Sequence, residues 1–289
     1  MCFFSLSLLL FRFVLSPLHI KCDHLNNIPF KLNYVSLWGE ENMMILDQNN
    51  EVQLTFNQYS GSGFTSRQQY GSGVFSMEIK MPQKDSTAVI TTFYLISDGG
   101  PTRDEIDFEF LGGNNERPYI LHTNIFTNGY GNREQQIHLW FDPTLDFHNY
   151  TLLWNEKQLV FFVDEIPIRV FKNTTNKGGS YFTKAMKIDA TIWTSPWGSG
   201  GIPINWNDAP FQAHYKGFGI NGCQTQSIST NITQCNSSRY WWNHEKFWEL
   251  NYQQIQAYKN VRDKYLIYDY CAKQPQNLEC SQRSNNFHY

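Results

Sequence analysis

Between residues 51 and 220 several short segments of the chain alternate apolar and polar residues at every second position. A period of two belongs to a β-strand, whose successive side chains point to opposite faces. "EVQLTF", "GVFSMEIKM", "AVITTFYLI", "EIDFEFL", "YILHTNIF", "QQIHLWF", "YTLLWN", "LVFFVD", "IPIRVF", "AMKIDATIW" and "AHYKGFGI" read most clearly as strands, and several of them alternate strictly. Turn residues separate them, and no long helical pattern intervenes. Short strands at this spacing predict an all-β, two-sheet antiparallel jelly-roll sandwich over 23–218. At 289 residues the chain is long enough for such a domain plus an extension.

The extension is predicted over 219–289. In "QQIQAYKNVRDKYLIYDYC" the residues Ile255, Tyr258, Val261, Tyr265 and Tyr268 recur every three or four positions, one stripe of a helix. A strand or turn should follow it. Cys223, Cys235, Cys271 and Cys280 all lie here. Four cysteines permit three pairings, and short loops favour Cys223 with Cys235 and Cys271 with Cys280. No C-x-x-C pair or companion His spacing points to a metal.

Residues 1–22 begin "MCFFSLSLLLFRFVLSP", a short apolar run interrupted by Arg12, which reads as a secretory signal cleaved between Ser16 and Asp23. It is too short to span a bilayer. N-x-S/T sequons stand at Asn149, Asn173, Asn231 and Asn236, with Asn173 and the Asn231/Asn236 loop the better glycan acceptors. A net charge of −3 argues against nucleic acid or an anionic membrane as partner. Core and strand formation accounts for most of the 16% aromatic content, and a surplus of Trp and Tyr, with 9 Trp, also suits stacking on sugar rings.

One segment carries chemistry. In "TRDEIDFEFLGG", Glu105, Asp107 and Glu109 share one strand face while Ile106, Phe108 and Phe110 share the other. Calcium ligands usually come from loops that mix carboxylates with carbonyls, and a regular strand offers few carbonyls. At about 3.3 Å per residue the Glu105 and Glu109 Cα atoms are about 13 Å apart. Their side chains, leaning together, bring the carboxyl groups to roughly 5–6 Å, the separation of a retaining glycosidase. With Asp107 between them the three acids cannot all ionise near neutrality, so one holds the proton a general acid needs. Spacing leaves open which glutamate attacks and which carries the proton.

"DEIDFEFLG" resembles the signature of the xyloglucan endotransglucosylase/hydrolases of glycoside hydrolase family sixteen. "GSGFTSRQQYGSGVFSMEIKMP", "PYILHTNIFTNGYGNREQQIHLWFDPTLDFHNYTLLWN", "PIRVFKN", "NWNDAPF" and "YLIYDYC" resemble it in order and spacing, over about residues 30 to 280. The resemblance implies a concanavalin-like jelly roll with a C-terminal extension, secreted to the plant cell wall or apoplast. It implies Glu105 as nucleophile, Asp107 as helper and Glu109 as acid/base. It places His122, Thr123, Asn124, Asn132, Arg133 and Glu134 along the glucan cleft, with Trp197 and Gly200 in a cleft loop. The donor would be xyloglucan and the acceptor another xyloglucan chain or oligosaccharide, or water. No cofactor or metal is needed, and a monomer is expected. A weakly active or non-catalytic wall-glucan-binding protein, or a hydrolase of another β-glucan, are the rival readings.

The chain departs from the family at several positions. The family usually has His where Arg103 stands, and a sequon after the motif where "GGNNERPY" has none. Its loop resembling Asp-Trp-Ala-Thr-Arg-Gly-Gly reads "PWGSGG" here, and the tail's usual Arg and Trp fall near Ala257 and Asn260. A hairpin that usually turns on Asp-Gly has Asp164-Glu165, a poorer pair for a tight primed turn.

Overall fold

Alternation of this kind buries one row per strand, and two sheets laid face to face bury the rows of both. A computed structural model describes residues 29–225 and 232–280. The signal reading of residues 1–22, its cleavage site and Asn231 lie outside the described residues. After a short helix α1 (Phe30–Asn33) come strands β1 (Tyr34–Trp38), β2 (Met43–Leu46), β3 (Glu51–Phe56), β4 (Ser62–Ser66) and β5 (Gln69–Lys80). Next are β6 (Val89–Ile96), β7 (Glu105–Leu111), β8 (Ile120–Phe126), β9 (Gln135–His138) and β10 (His148–Trp154). Then β11 (Gln158–Val163), β12 (Ile166–Lys172), β13 (Lys187–Thr194) and β14 (Phe211–Thr225) lead to α2 (Tyr252–Tyr265) and β15 (Leu266–Asp269).

Among the described residues these strands form two antiparallel sheets. One has eight strands in the order β1-β4-β13-β6-β7-β8-β9-β15, the other seven in the order β12-β11-β10-β5-β14-β3-β2. Phe93, Phe108, Phe110, Tyr150 and Phe161 meet between them and are fully buried. Phe108 lies edge-on to Phe161 at 5.0 Å and Phe110 edge-on to Tyr150 at 4.6 Å, the geometry that aromatic quadrupoles favour.

β11 breaks the alternation because both of its faces are covered, as in any doubly buried strand. Leu159 and Phe161 point into the sandwich, while Val160 and Phe162 join a second apolar cluster with Val74, Leu153, Val170, Cys223, Cys235, Trp242 and Tyr258. The extension packs its α2 against β12 to close that cluster. α2 starts on a capping box, with Asn251 and Gln254 each accepting from the other's backbone N–H. Cys223–Cys235 and Cys271–Cys280 are disulfide-bonded.

Several boundaries differ from the sequence reading. Tyr268 is not on the helix: the chain leaves α2 at Tyr265, and Tyr268 sits in β15 opposite Gln136 of β9. "QQIHLWF" is strand only through His138, and Leu139, Trp140 and Phe141 pack against the core from a loop. β14 continues beyond residue 218 to Thr225, with register shifts after Lys216 and Gly222. β4, "SGFTS", gives no alternation because all five residues are buried. A Cβ on Gly63 would come within 2.7 Å of Thr191 and 2.9 Å of the Ala190 carbonyl. The Asp164-Glu165 turn does adopt left-handed φ at both positions, 48° and 66°. Asp164 offsets that strain by accepting from the Asn149 amide at 2.9 Å and pairing with His148 at 2.6 Å.

A cation crosses the core. Arg169 of β12 is 1% exposed, and its guanidinium donates to the Thr123 carbonyl and hydroxyl, each at 2.8 Å, and to the Arg133 carbonyl at 2.5 Å. It thereby ties the outer sheet to the underside of β8 and to the loop leading into β9. Removing it strands buried carbonyls. Arg169→Met is expected to cost about 2–5 kcal/mol, read as a lowered urea midpoint with an unchanged m-value.

Candidate active site

β7 is paired along its whole length on both sides with no register shift. Glu105 therefore lies between Ile96 of β6 and Phe126 of β8, Asp107 between Tyr94 and Asn124, and Glu109 between Thr92 and His122. One strand further, β13 sets Asp189 beside Tyr94 and Thr191 beside Thr92. Ile106, Phe108 and Phe110 on the reverse face are 0% exposed. The pleat then leaves the acids one direction only, into a cleft of about 620 Å³. Trp38, Trp193 and Trp197 wall that cleft with Arg103, Phe126 and Glu134.

Burial dominates the electrostatics. It raises the Glu109 carboxyl to about 7, with the charges of Glu105 and Glu134 adding to the effect. Asp107 is pushed well above the carboxylate range by burial and by Glu105 and Glu109 on either side. Glu105 is raised by burial too, but the hydrogen bond and charge of Arg103 oppose the shift. Arg103 Nε donates to Glu105 Oε2 at 2.5 Å. The cluster cannot carry three full charges near neutrality, and its proton is shared.

His122 stays neutral, because burial and the nearby Arg169 push it down to about 4. The amide nitrogen of Gln136 lies 3.1 Å from His122 Nδ1 and can only donate. The imidazole proton is thus on Nε2, which faces Glu109 Oε2 at 3.5 Å. The Trp197 ring lies 5.4 Å from His122, centroid to centroid. Asp189, held by the Thr65 hydroxyl at 2.6 Å and by Tyr94, is raised to about 6 by burial.

Of the residues proposed from sequence, Glu105, Asp107, Glu109, His122, Asn124, Glu134 and Trp197 line the cleft. Thr123 does not. A strand cannot put three consecutive residues on one face, so Thr123 points into the sandwich and receives Arg169. Arg133 does not either: its side chain pairs with Glu279 at 2.6 Å, donates to Ser180 at 3.1 Å and to the Tyr130 carbonyl, and covers the Phe171 ring. Asn132 and Gly200 take left-handed φ of 58° and 63° and stand outside the cleft lining. Thr92, Tyr94, Phe126, Trp38 and Trp193 were missed. The phase of "AVITTFYLI" carried a signal for two of them, since Thr92 and Tyr94 alternate with Phe93 and Leu95. Nothing local marks Trp38.

The Glycosyl hydrolases family 16 model matches residues 30–209, and the Xyloglucan endo-transglycosylase (XET) C-terminus model matches 235–273. Xyloglucan endotransglucosylase/hydrolase protein 2 of Arabidopsis thaliana is 47% identical over 86% of this chain and 86% of its own. The chain belongs to the xyloglucan endotransglucosylase/hydrolases of glycosyl hydrolase family 16. Another such relative, the putative protein 1 of Arabidopsis thaliana, is 48% identical over 86% of this chain and 83% of its own. A Bacillus licheniformis β-glucanase shares the fold with a TM-score of 0.53 at 22% identity, covering 66% of this family member and 92% of that chain.

Buried acids make the folded state bind protons more tightly than the unfolded one. For Glu109 the folded value, about 7, exceeds the ordinary 4.5, so its contribution to stability is present at acid pH and lost as pH rises through 7. Glu109→Gln is therefore expected to stabilise the fold at pH 8 by about 1–3 kcal/mol, and much less at pH 5. Thermal melts at the two pH values check this.

Proposed function

We propose that the protein cleaves the β-1,4-glucan backbone of xyloglucan with retention, and passes the new end from Glu105 to another xyloglucan chain or to water. The observation that carries this reading is the placement of Glu105, Asp107 and Glu109 on one unbroken strand face inside a tryptophan-walled cleft. Glu105, kept partly ionised by Arg103, attacks the anomeric carbon. Glu109, protonated below about 7, gives its proton to the departing glycosidic oxygen. Once the glycosyl ester exists, Glu105 carries no charge, and Glu109 ionises more readily. It then removes the proton from an incoming 4-hydroxyl, and the ester bond breaks. Asp107, flanked by both and held protonated by burial and by their charges, shares the cluster's proton and keeps their protonation states apart. The neutral His122 stands with Nε2 3.5 Å from Glu109 Oε2 and adds no charge there.

Trp38, Trp193 and Trp197 line the cleft with the kind of ring that stacks on the apolar faces of pyranoses, and Asn124 and Glu134 line it with polar groups. Two disulfides suit an oxidising compartment, which supports secretion to the cell wall. A weakly active glucan binder is the second reading, because the 196–201 loop, "PWGSGG", carries no charged side chain.

Incubation with xyloglucan and a fluorescent xyloglucan oligosaccharide, followed by sizing, separates the readings. Labelled polymer is expected from the wild type, and Glu105→Gln should lower its rate by at least about 1000-fold while binding persists. Unchanged chain length with both proteins defeats the enzyme reading; new reducing ends without labelled polymer make it a hydrolase. The rate of the wild type should fall on the alkaline side as pH passes about 7, because the acid must enter the cycle protonated.

A further inference from the structure

Arg103 stands two residues before Glu105, ahead of β7 in extended backbone, and its side chain lines the same cleft. Its backbone is held on both sides. Its carbonyl accepts from the Gly129 amide at 2.7 Å, and its amide closes a turn on Gly100. The neighbouring Asp104, 0% exposed, accepts from the amides of Asn128, Thr183 and Lys184. The guanidinium carbon lies 4.4 Å from the centroid of the Phe126 ring, which supports the plane from one side. From that seat Nε reaches Glu105 Oε2 at 2.5 Å, leaving Oε1 with no hydrogen-bond partner among the described residues.

Resting on the proposed reaction, we infer that Arg103 is a positioning residue that governs the lifetime of the glycosyl-enzyme through Glu105, by stabilising its carboxylate as a leaving group. In the first step Glu105 Oε1 bonds to the anomeric carbon, the bond to the glycosidic oxygen breaks, and Glu109 delivers the proton to that oxygen. The carboxylate loses its charge, so the Arg103 contact opposes this step. In the second step the acceptor oxygen bonds to the anomeric carbon, its proton goes to Glu109, and the carbon–Oε1 bond breaks. Negative charge returns to Oε1 and Oε2 as it does so, against a guanidinium already in place. Water and sugar acceptors expel the same carboxylate, so Arg103 alters the lifetime of the ester and leaves the choice of acceptor untouched.

Other charges near Glu105 do not replace this one. Asp107 and Glu109 share its strand face and are acidic; β6 presents Tyr94; β8 presents Phe126; and Lys187 and Asp189 stand on β13, behind β6. The same contact keeps Glu105 ionised at lower pH than burial alone would allow.

The test compares wild type with Arg103→Gln, Arg103→Met and Arg103→Lys. Methionine keeps a stem over Phe126 without the charge, and lysine keeps the charge. Two readouts are needed: the acid limb of kcat/KM against pH, and the fraction of enzyme carrying glycosyl mass on the Glu105 peptide after acid quench in the steady state. The neutral variants are expected to move the acid limb up by about one pH unit and to raise the adduct fraction several-fold, with the ratio of transfer to hydrolysis unchanged. Lysine should restore the limb to within a few tenths of a unit. A folded glutamine or methionine variant whose limb and adduct fraction match the wild type overturns the role of Arg103 alone. If no protein in the set shows an adduct and the product anomer is inverted, the retaining reading falls and this role with it.

Discussion

The pleat of β7 is the constraint from which the site follows. Ile106, Phe108 and Phe110 are locked among Phe93, Tyr150 and Phe161 between the sheets. Because side chains alternate, that packing compels Glu105, Asp107 and Glu109 to leave on the other face together. Unbroken pairing with β6 and β8 keeps them at fixed intervals. A bulge anywhere in the seven residues would turn one acid toward the core. The aromatic core thus does more than stabilise the sandwich: it sets the register on which the chemistry is written.

Proximity and burial then divide the work among three similar acids. All are raised, yet for different balances of causes: Asp107 by burial and two like neighbours, Glu109 by burial with Glu105 and Glu134, Glu105 by burial against an opposing arginine. The asymmetry comes from the flanks, with Arg103 at one end of the row and a neutral His122 at the other. The cleft holds these groups at a cost to stability, as expected where function needs charge in a dry place.

The C-terminal extension reaches the site from behind. Glu279, next to the cysteine that closes the Cys271–Cys280 loop, pairs with Arg133; the Tyr270 amide donates to the Glu134 carbonyl; and Asp269 accepts from Gln135 and Arg262. With Arg169 holding the Arg133 carbonyl from inside the sandwich, residues 133–135 are gripped on two sides. That grip sets where Glu134 enters the cleft. The extension and the sandwich are thereby one mechanical unit at the end of β9.

Much of this was legible in the chain. The alternating segments announced the sandwich, and "EIDFEFL" announced its acidic face, because a two-residue period is a local property of the backbone. The same rule, applied strictly, excludes Thr123 from a face shared by His122 and Asn124. Short cysteine spacings pointed to the disulfides that form. Where alternation was absent the pattern said less: the wholly buried β4 was not read, and the doubly covered β11 read as a strand without a distinguishable face. What tertiary structure alone decided were the contacts between residues distant in the chain: Arg169 under Thr123, Glu279 on Arg133, Trp38 beside the acids. A side chain such as Arg133, charged and flexible, has no periodicity to reveal its partner; only the arrival of an acid from 146 residues away turns it from the cleft. The sequence determined which face each strand residue takes; the folded chain determined which faces meet.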